Sequence, residues 1–281
     1  MPNICNFGFI QGRLSPKTFG RIQTFPAGYW KEEIYAASRL GMNKIEWTID
    51  SITLDQNPIV DSRQFMSLQN FTKTYQVSID SVTCDFFMEN PPWNPKLISN
   101  NRVKEVFATL LSFSEFQGPL VFVVPILDNS SLPTLKSFEN VVEIFEELQM
   151  YNYPAKVAFE SDIRPKDFYS LIKDLNPNLY GVNLDIGNSA AYGFNPMEEI
   201  ELFSGRIFNI HIKDRPLSGN SCRFGTGCTD FSLYLELLSG KKYCGNLILQ
   251  SFRPTSGYFF EELLYSLRFT ESLMGGECLA A

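Results

Sequence analysis

The chain has 281 residues, 44% of them apolar and 14% aromatic, with 24 basic against 31 acidic side chains and a formal charge of -7. That apolar content supports a sizeable core and excludes a disordered chain. The acidic balance, with no dense Lys/Arg run, excludes a nucleic-acid partner that binds by neutralising phosphates.

Short β-branched apolar runs alternate with amphipathic stretches along the whole chain. A strand over Asn6–Ile10 leads to a helix over Lys31–Leu40, and Lys44–Ile49 leads to Ser62–Thr74. Val77–Cys84 precedes Asn101–Phe116, and Leu120–Ile126 precedes Leu132–Met150. Lys156–Glu160 is followed by Pro165–Leu175, and Gly181–Asp185 by Pro196–Phe203. Ile207–Lys213 is followed by Phe231–Leu238, and Asn246–Gln250 by Phe260–Leu273. Asp61, Asn195-Pro196 and Asp230 are suited to open three of these helices.

Strands that alternate with helices run parallel, and eight such units without a composition break predict one domain, a single (β/α)8 barrel over residues 1–281. The competing doubly wound sheet would carry GxGxxG after its first strand, where this chain has Gln11-Gly12-Arg13-Leu14. No apolar run reaches the roughly 18 residues of a membrane span, so no membrane partner is expected. Met1–Cys5 lacks the basic and apolar regions of a secretion signal. The scattered Cys5, Cys84, Cys222, Cys228, Cys244 and Cys278 read as reduced thiols of a cytoplasmic protein, with a Cys222–Cys228 pair the weaker alternative.

A barrel of this kind builds its active site from the carboxyl ends of its strands, so polar residues that end apolar runs are the candidates. They are Gln11 and Arg13, Glu46, Asp85, Asp128, Glu160 with Asp162, Asp185 with Asn188, His211 with Lys213 and Asp214, and Gln250 with Arg253. His211 is the sole histidine, and period-two alternation puts Asn209, His211 and Lys213 on one face of their strand. Histidine on a strand is more often a core or surface residue, and a carboxylate ending a strand is more often in an ion pair, here with Lys156, Lys213 or Arg215. Glu160, Asp185 and His211 on three successive strands nevertheless form a mixed O/N set suited to one divalent ion, Mn²⁺, Co²⁺, Mg²⁺, Fe²⁺ or Zn²⁺. The Gly225–Asp230 loop reads as a tight turn or as a phosphate nest. Arg215 and Arg253 are candidate anion anchors, and Asp85 and Glu46 candidate contacts to a hydroxyl. Phe86 and Phe87 either close the barrel top or stack on a sugar.

Several segments resemble the xylose isomerase-like TIM-barrel superfamily of sugar and sugar-phosphate isomerases and epimerases. They are Gln11–Ser15, Ile45-Glu46-Trp47, Val157–Glu160, Asn183–Asn188, His211–Arg215, Gly225–Asp230 and Leu247–Gln250. The resemblance implies a metal held by Glu160, Asp185, His211 and position 250, with the two glutamate positions acting as the proton donor and acceptor. It implies an open-chain ketose gripped by two neighbouring oxygens and an enediolate intermediate. Position 250 here is Gln, which offers a carbonyl oxygen but shuttles no proton. Asn188 stands where many relatives have histidine. Leu249-Gln250 together with Arg21–Pro26 resembles a subgroup of that superfamily.

The expectation is therefore Glu160 as base, Lys213 as replacement acid or phosphate partner, and Gln11, Arg13, Glu46, Asp85, Asn188, Asp214, Arg215 and Arg253 around the substrate. Isomerisation between adjacent carbons tolerates Gln250 better than symmetric epimerisation does. A sugar-binding barrel without turnover and a cyclitol dehydratase are the alternatives. An abasic-site endonuclease needs several histidines and a basic groove, which this chain lacks. A homodimer or homotetramer is expected.

Overall fold

A computed structural model describes residues 7–91, 100–255 and 257–274. Asn6 of the first expected strand, Cys5, Cys278 and the segment Met1–Cys5 lie outside the described residues. Eight parallel strands hydrogen-bond in sequence order and close into a barrel, as the alternation predicts. They are β1 (Phe7–Ile10), β2 (Lys44–Thr48), β3 (Ser78–Thr83), β4 (Leu120–Ile126), β5 (Ala155–Ser161), β6 (Tyr180–Asp185), β7 (Ile207–Ile212) and β8 (Asn246–Leu249).

The helices around them are α1 (Trp30–Arg39), α2 (Ser62–Tyr75), α3 (Asp85–Glu89), α4 (Asn100–Gln117), α5 (Leu135–Glu147), α6 (Pro165–Ile172), α7 (Ile186–Tyr192), α8 (Pro196–Phe203), α9 (Phe231–Gly240) and α10 (Phe259–Leu273). The predicted caps form: Asp61, Asn195 and Asp230 each accept backbone N–H groups of the first turn, and Pro196 stands inside that turn where it forfeits no bond. The helix expected from Leu132 begins later, after Thr134 turns its hydroxyl onto Ser137 N. The short α3 and α7 were not foreseen.

Aromatic pairs join helix to strand, helix to helix and strand to strand. Phe107 meets Phe122 at 5.3 Å and Phe145 at 4.6 Å, and Phe159 stacks parallel to Tyr180 at 6.3 Å. Phe86 and Phe87 are both buried, and Phe87 packs on Phe107 of α4.

The barrel interior departs from the branched apolar layers usual for this architecture. Register places Asn209 beside Asn183 and Asn246, His211 beside Asp185 and Ile248, and Glu46 beside Ser81 and Ile10. Alternation then puts Glu46, Ser81, Asn183, Asn209 and His211 inside, and Gln250 on the same face as Asn246 and Ile248. One side of the barrel is thus filled by polar groups, each of which needs a partner to offset its burial.

Candidate metal centre

Three strand ends bring their donors together. One ligand atom each from Glu160 (β5), Asp185 (β6) and His211 (β7) lies within 4.8 Å of the others, a group able to hold a metal ion. His211 Nδ1 is 3.3 Å from Glu160 Oε2 and 3.9 Å from Asp185 Oδ2. Burial alone would favour the neutral imidazole. The Glu46 and Glu160 carboxylates outweigh it and raise the His211 pKa well above its usual value. A cation at Nδ1 would displace that proton.

The carboxylates are held from outside. Asp185 caps α7, its Oδ1 accepting Gly187 N at 3.0 Å and Asn188 N at 2.8 Å, which aims Oδ2 at the cluster. A Cβ at Gly187 would fall 2.8 Å from Lys213 backbone and side chain, so only glycine lets α7 lie this close to β7. Glu160 Oε1 accepts Asn188 Nδ2 at 2.8 Å and Oε2 accepts Asn183 Nδ2 at 2.7 Å. Lys213 Nζ donates to Asp185 Oδ2 at 3.3 Å and Asn188 Oδ1 at 3.1 Å, and Arg215 Nη1 reaches the same Oδ1 at 2.6 Å. Asn188 thus joins two cations to Glu160.

Several polar atoms around the mouth are buried without a partner: Gln250 Oε1, Asp85 Oδ2 and Gln11 Nε2. Gln250 N is bonded to Ile212 O at 2.8 Å, which carries the β7–β8 pairing one residue past Leu249. An unpartnered amide oxygen on the interior face is a suitable fourth donor for the group of three.

Other expected substrate contacts are engaged elsewhere. Glu46 is fully buried behind His211 Nε2, Ser81 Oγ and Asn209 Nδ2, its three partners, which keeps it from a sugar hydroxyl. Asp214 accepts Gly225 N, Thr226 N and Gly227 N on Oδ2 and Thr229 N on Oδ1. The nest suggested for phosphate is therefore filled by the chain's own carboxylate. Arg253 donates to Ser15 O and Ile22 O, both at 2.9 Å, binding the β1–α1 loop rather than an anion. Arg13 is likewise buried, on Ser251 O at 2.9 Å and Gln23 Oε1 at 2.8 Å. Gln11 Oε1 accepts Thr48 N at 2.8 Å, tying β1 to β2 while Nε2 stays unpartnered. Cys84, Cys222 and Cys228 are free thiols.

Behind the cluster lies a cavity of about 20 Å³, lined among others by Glu160, Asp185, Asn188, Ser189 and Glu199. It is roomy enough for one water. Glu199 is buried against Ser189 Oγ at 2.7 Å and Tyr234 Oη at 2.6 Å. Nothing in the sequence marked it, because Glu198-Glu199 at a helix start reads as an exposed first turn.

Burial, with the Asp185 charge adding to it, pushes Glu199 up to about 7 despite those hydrogen bonds. Burial and then Glu160 push Asp85 to about 7 as well. Both folded values exceed the unfolded ones, so the folded chain keeps protons the unfolded chain has lost. Stability should therefore fall as pH rises from about 4 to about 7, and His211, also raised on folding, carries the fall beyond that range. Glu199 alone contributes roughly 3 kcal/mol of that slope. Urea denaturation of metal-free protein across this range checks the expectation: Glu199→Gln and Asp85→Asn should each flatten the profile, and an unchanged profile in both would refute it.

The sequence profile of the Xylose isomerase-like TIM barrel family matches residues 34–270. The chain belongs to that family. Among curated members, the chain is 23% identical over 249 residues to the L-ribulose-5-phosphate 3-epimerase UlaE of Escherichia coli (strain SMS-3-5 / SECEC), covering 83% of this chain and 86% of that one. It is also 24% identical over 120 residues to the 3-oxo-isoapionate decarboxylase of Pectobacterium atrosepticum, a match spanning 40% of this chain and less than half, 44%, of that protein. A crystal structure of IOLI protein with a bound zinc atom superposes with a TM-score of 0.75 at 17% identity, covering 96% of this chain and 98% of that one. The relatives thus include a sugar-phosphate epimerase, and the fold is that of the zinc-containing structure. No helix among the described residues is long and apolar enough to cross a membrane.

Proposed function

We propose that the protein is a divalent-metal-dependent isomerase or epimerase of a small sugar or sugar phosphate, moving a proton through an enediolate. The observation that carries the reading is the meeting of Glu160, Asp185 and His211 at the mouth, with the unpartnered Gln250 Oε1 on the same interior face. Two carboxylates, an imidazole and an amide oxygen suit Mn²⁺, Co²⁺, Mg²⁺, Fe²⁺ or Zn²⁺. An ion held there would polarise neighbouring oxygens of an open-chain ketose.

Glu160 is the base. The amides of Asn183 and Asn188 hold its carboxylate in place while it takes the proton from the carbon beside the ketone. Lys213 and Arg215 offer positive charge to a substrate oxyanion or phosphate through the Asn188 wall they share. Gln250 cannot return a proton. Two groups compete for that part. Lys213 is engaged by Asp185, whereas Asp85 has an uncommitted oxygen and a carboxyl held near 7, which makes it the better acid. One base with an acid on another strand favours isomerisation between adjacent carbons over symmetric two-glutamate epimerisation.

Gln250 also favours a second reading, a barrel that binds sugar without turnover. The test is wash-in of solvent deuterium, followed by proton NMR, for a panel of ketoses and ketose phosphates in D₂O with Mn²⁺-loaded or Zn²⁺-loaded enzyme. Exchange of a carbon-bound proton next to the ketone, lost in Glu160→Gln, is expected. Bound sugar without exchange in the natural protein, and exchange gained in Gln250→Glu, would establish the second reading instead.

A further inference from the structure

Glu46 lies at the centre of a closed hydrogen-bond circuit in the barrel interior. Its Oε1 is 2.7 Å from His211 Nε2. Its Oε2 accepts Ser81 Oγ at 2.7 Å and Asn209 Nδ2 at 2.8 Å. Asn209 Nδ2 also donates to Asn183 Oδ1 at 2.8 Å, which turns Asn183 Nδ2 toward Glu160 Oε2 at 2.7 Å and His211 Nδ1 at 3.1 Å. Every direction in this circuit follows from one chemical fact: a carboxylate at position 46 only accepts. A donor must therefore face it from His211, and the nitrogen on the other side of the ring is the one that faces Glu160 and Asp185.

We propose that Glu46 is a positioning residue that keeps His211 protonated on Nε2, so that Nδ1 presents its lone pair to a divalent cation held with Glu160 and Asp185. The inference rests on the metal reading above and deepens it. Outer carboxylates set the tautomer and basicity of metal-binding histidines in this manner, at about 10–100-fold in metal affinity. The substitution Glu46→Gln isolates the effect, because it changes no volume and its orientation is fixed by the neighbours. Ser81 Oγ and Asn209 Nδ2 both donate at Oε2, and Asn209 cannot turn round without losing Asn183. The new amide therefore keeps its oxygen at that position and points its NH₂ at His211 Nε2. Nε2 must then accept, and the ring proton moves to Nδ1, where the cation would bind.

Because His211 is the sole histidine, ¹⁵N-histidine labelling gives a one-residue spectrum. In the zinc-loaded natural protein the proton is expected on Nε2 and the metal on Nδ1. In Glu46→Gln, zinc affinity by titration calorimetry should fall about 10–100-fold, with the proton moved to Nδ1 in the metal-free variant. Zinc on Nε2 of the natural protein overturns the proposal even if the variant fails to fold. An affinity within about twofold in a folded Glu46→Gln that retains Nε2–H overturns this inference alone. A natural protein that binds neither zinc nor Mn²⁺ overturns the metal reading together with it.

Discussion

Replacing His211 with alanine is expected to yield protein that holds no divalent ion, where the natural chain is expected to hold about one. The imidazole is the only nitrogen donor in the group, and the two carboxylates on β5 and β6 would be left with the Gln250 amide. Such an all-oxygen set suits Mg²⁺ with retained water better than a tightly held transition metal. Losing a direct donor should cost more than the 10–100-fold typical of an outer partner, so the ion should be lost on dialysis. The substitution also strips Glu46 of its Nε2 partner, leaving a fully buried carboxylate with Ser81 and Asn209 only. That should lower stability by about 1–3 kcal/mol. Elemental analysis of dialysed protein, with circular dichroism to verify the fold, checks both parts. A His211→Ala variant that keeps its ion would place the metal elsewhere.

Much of this centre was legible in the chain, and the boundary has a physical cause. Alternation of apolar runs counts strands directly, and the residue that ends a buried strand points to the barrel mouth. Glu160, Asp185 and His211 could be read that way. Depth could not. Glu46 sits among the same kind of apolar residues as Glu160, yet a register shift between Ile45 and Glu46 and the pairing with Ser81 sink it behind His211 instead of opposite a substrate. Period-two alternation gives the face of a strand but not the layer, which depends on how the sheet is sheared when it closes. Helix α7 was missed for a different reason. Its Ile-Gly-Asn-Ser-Ala-Ala-Tyr sequence has no apolar periodicity, and it forms because Asp185 caps it and the tight approach to Lys213 is permitted by Gly187. Arg253 and Asp214 show a third limit. A cation or an anion near a strand end reads as a ligand contact until the partner supplied by the loop closure is known.

Asp214→Ala should have the largest effect on stability, a loss of roughly 3–5 kcal/mol, at the upper end for a single substitution. Four N–H groups, those of Gly225, Thr226, Gly227 and Thr229, converge on this one carboxylate. Hydrogen bonds to a charged acceptor contribute about 1.5–3 kcal/mol each, and the loop can recover part of the loss by turning donors to water. The fit is close: a Cβ at Gly227 would lie 2.3 Å from Asp214 Oδ1. The loop is also bonded to the site, Thr229 Oγ1 to Lys213 O at 3.1 Å and Cys228 N to Arg215 O at 2.9 Å, so its release should loosen both cations around Asn188. Urea denaturation measures the stability loss, and trypsin cleavage after Arg223 measures the loop's opening. Inorganic phosphate separates this account from a substrate-phosphate site. If Asp214 is the anion the nest was built for, phosphate should stabilise the alanine variant more than it stabilises the natural protein, whatever it gains at Lys213 and Arg215 in both. Phosphate that gives the variant no such extra stabilisation would mean that the emptied nest takes no anion, and the assignment of the nest to Asp214 would fall.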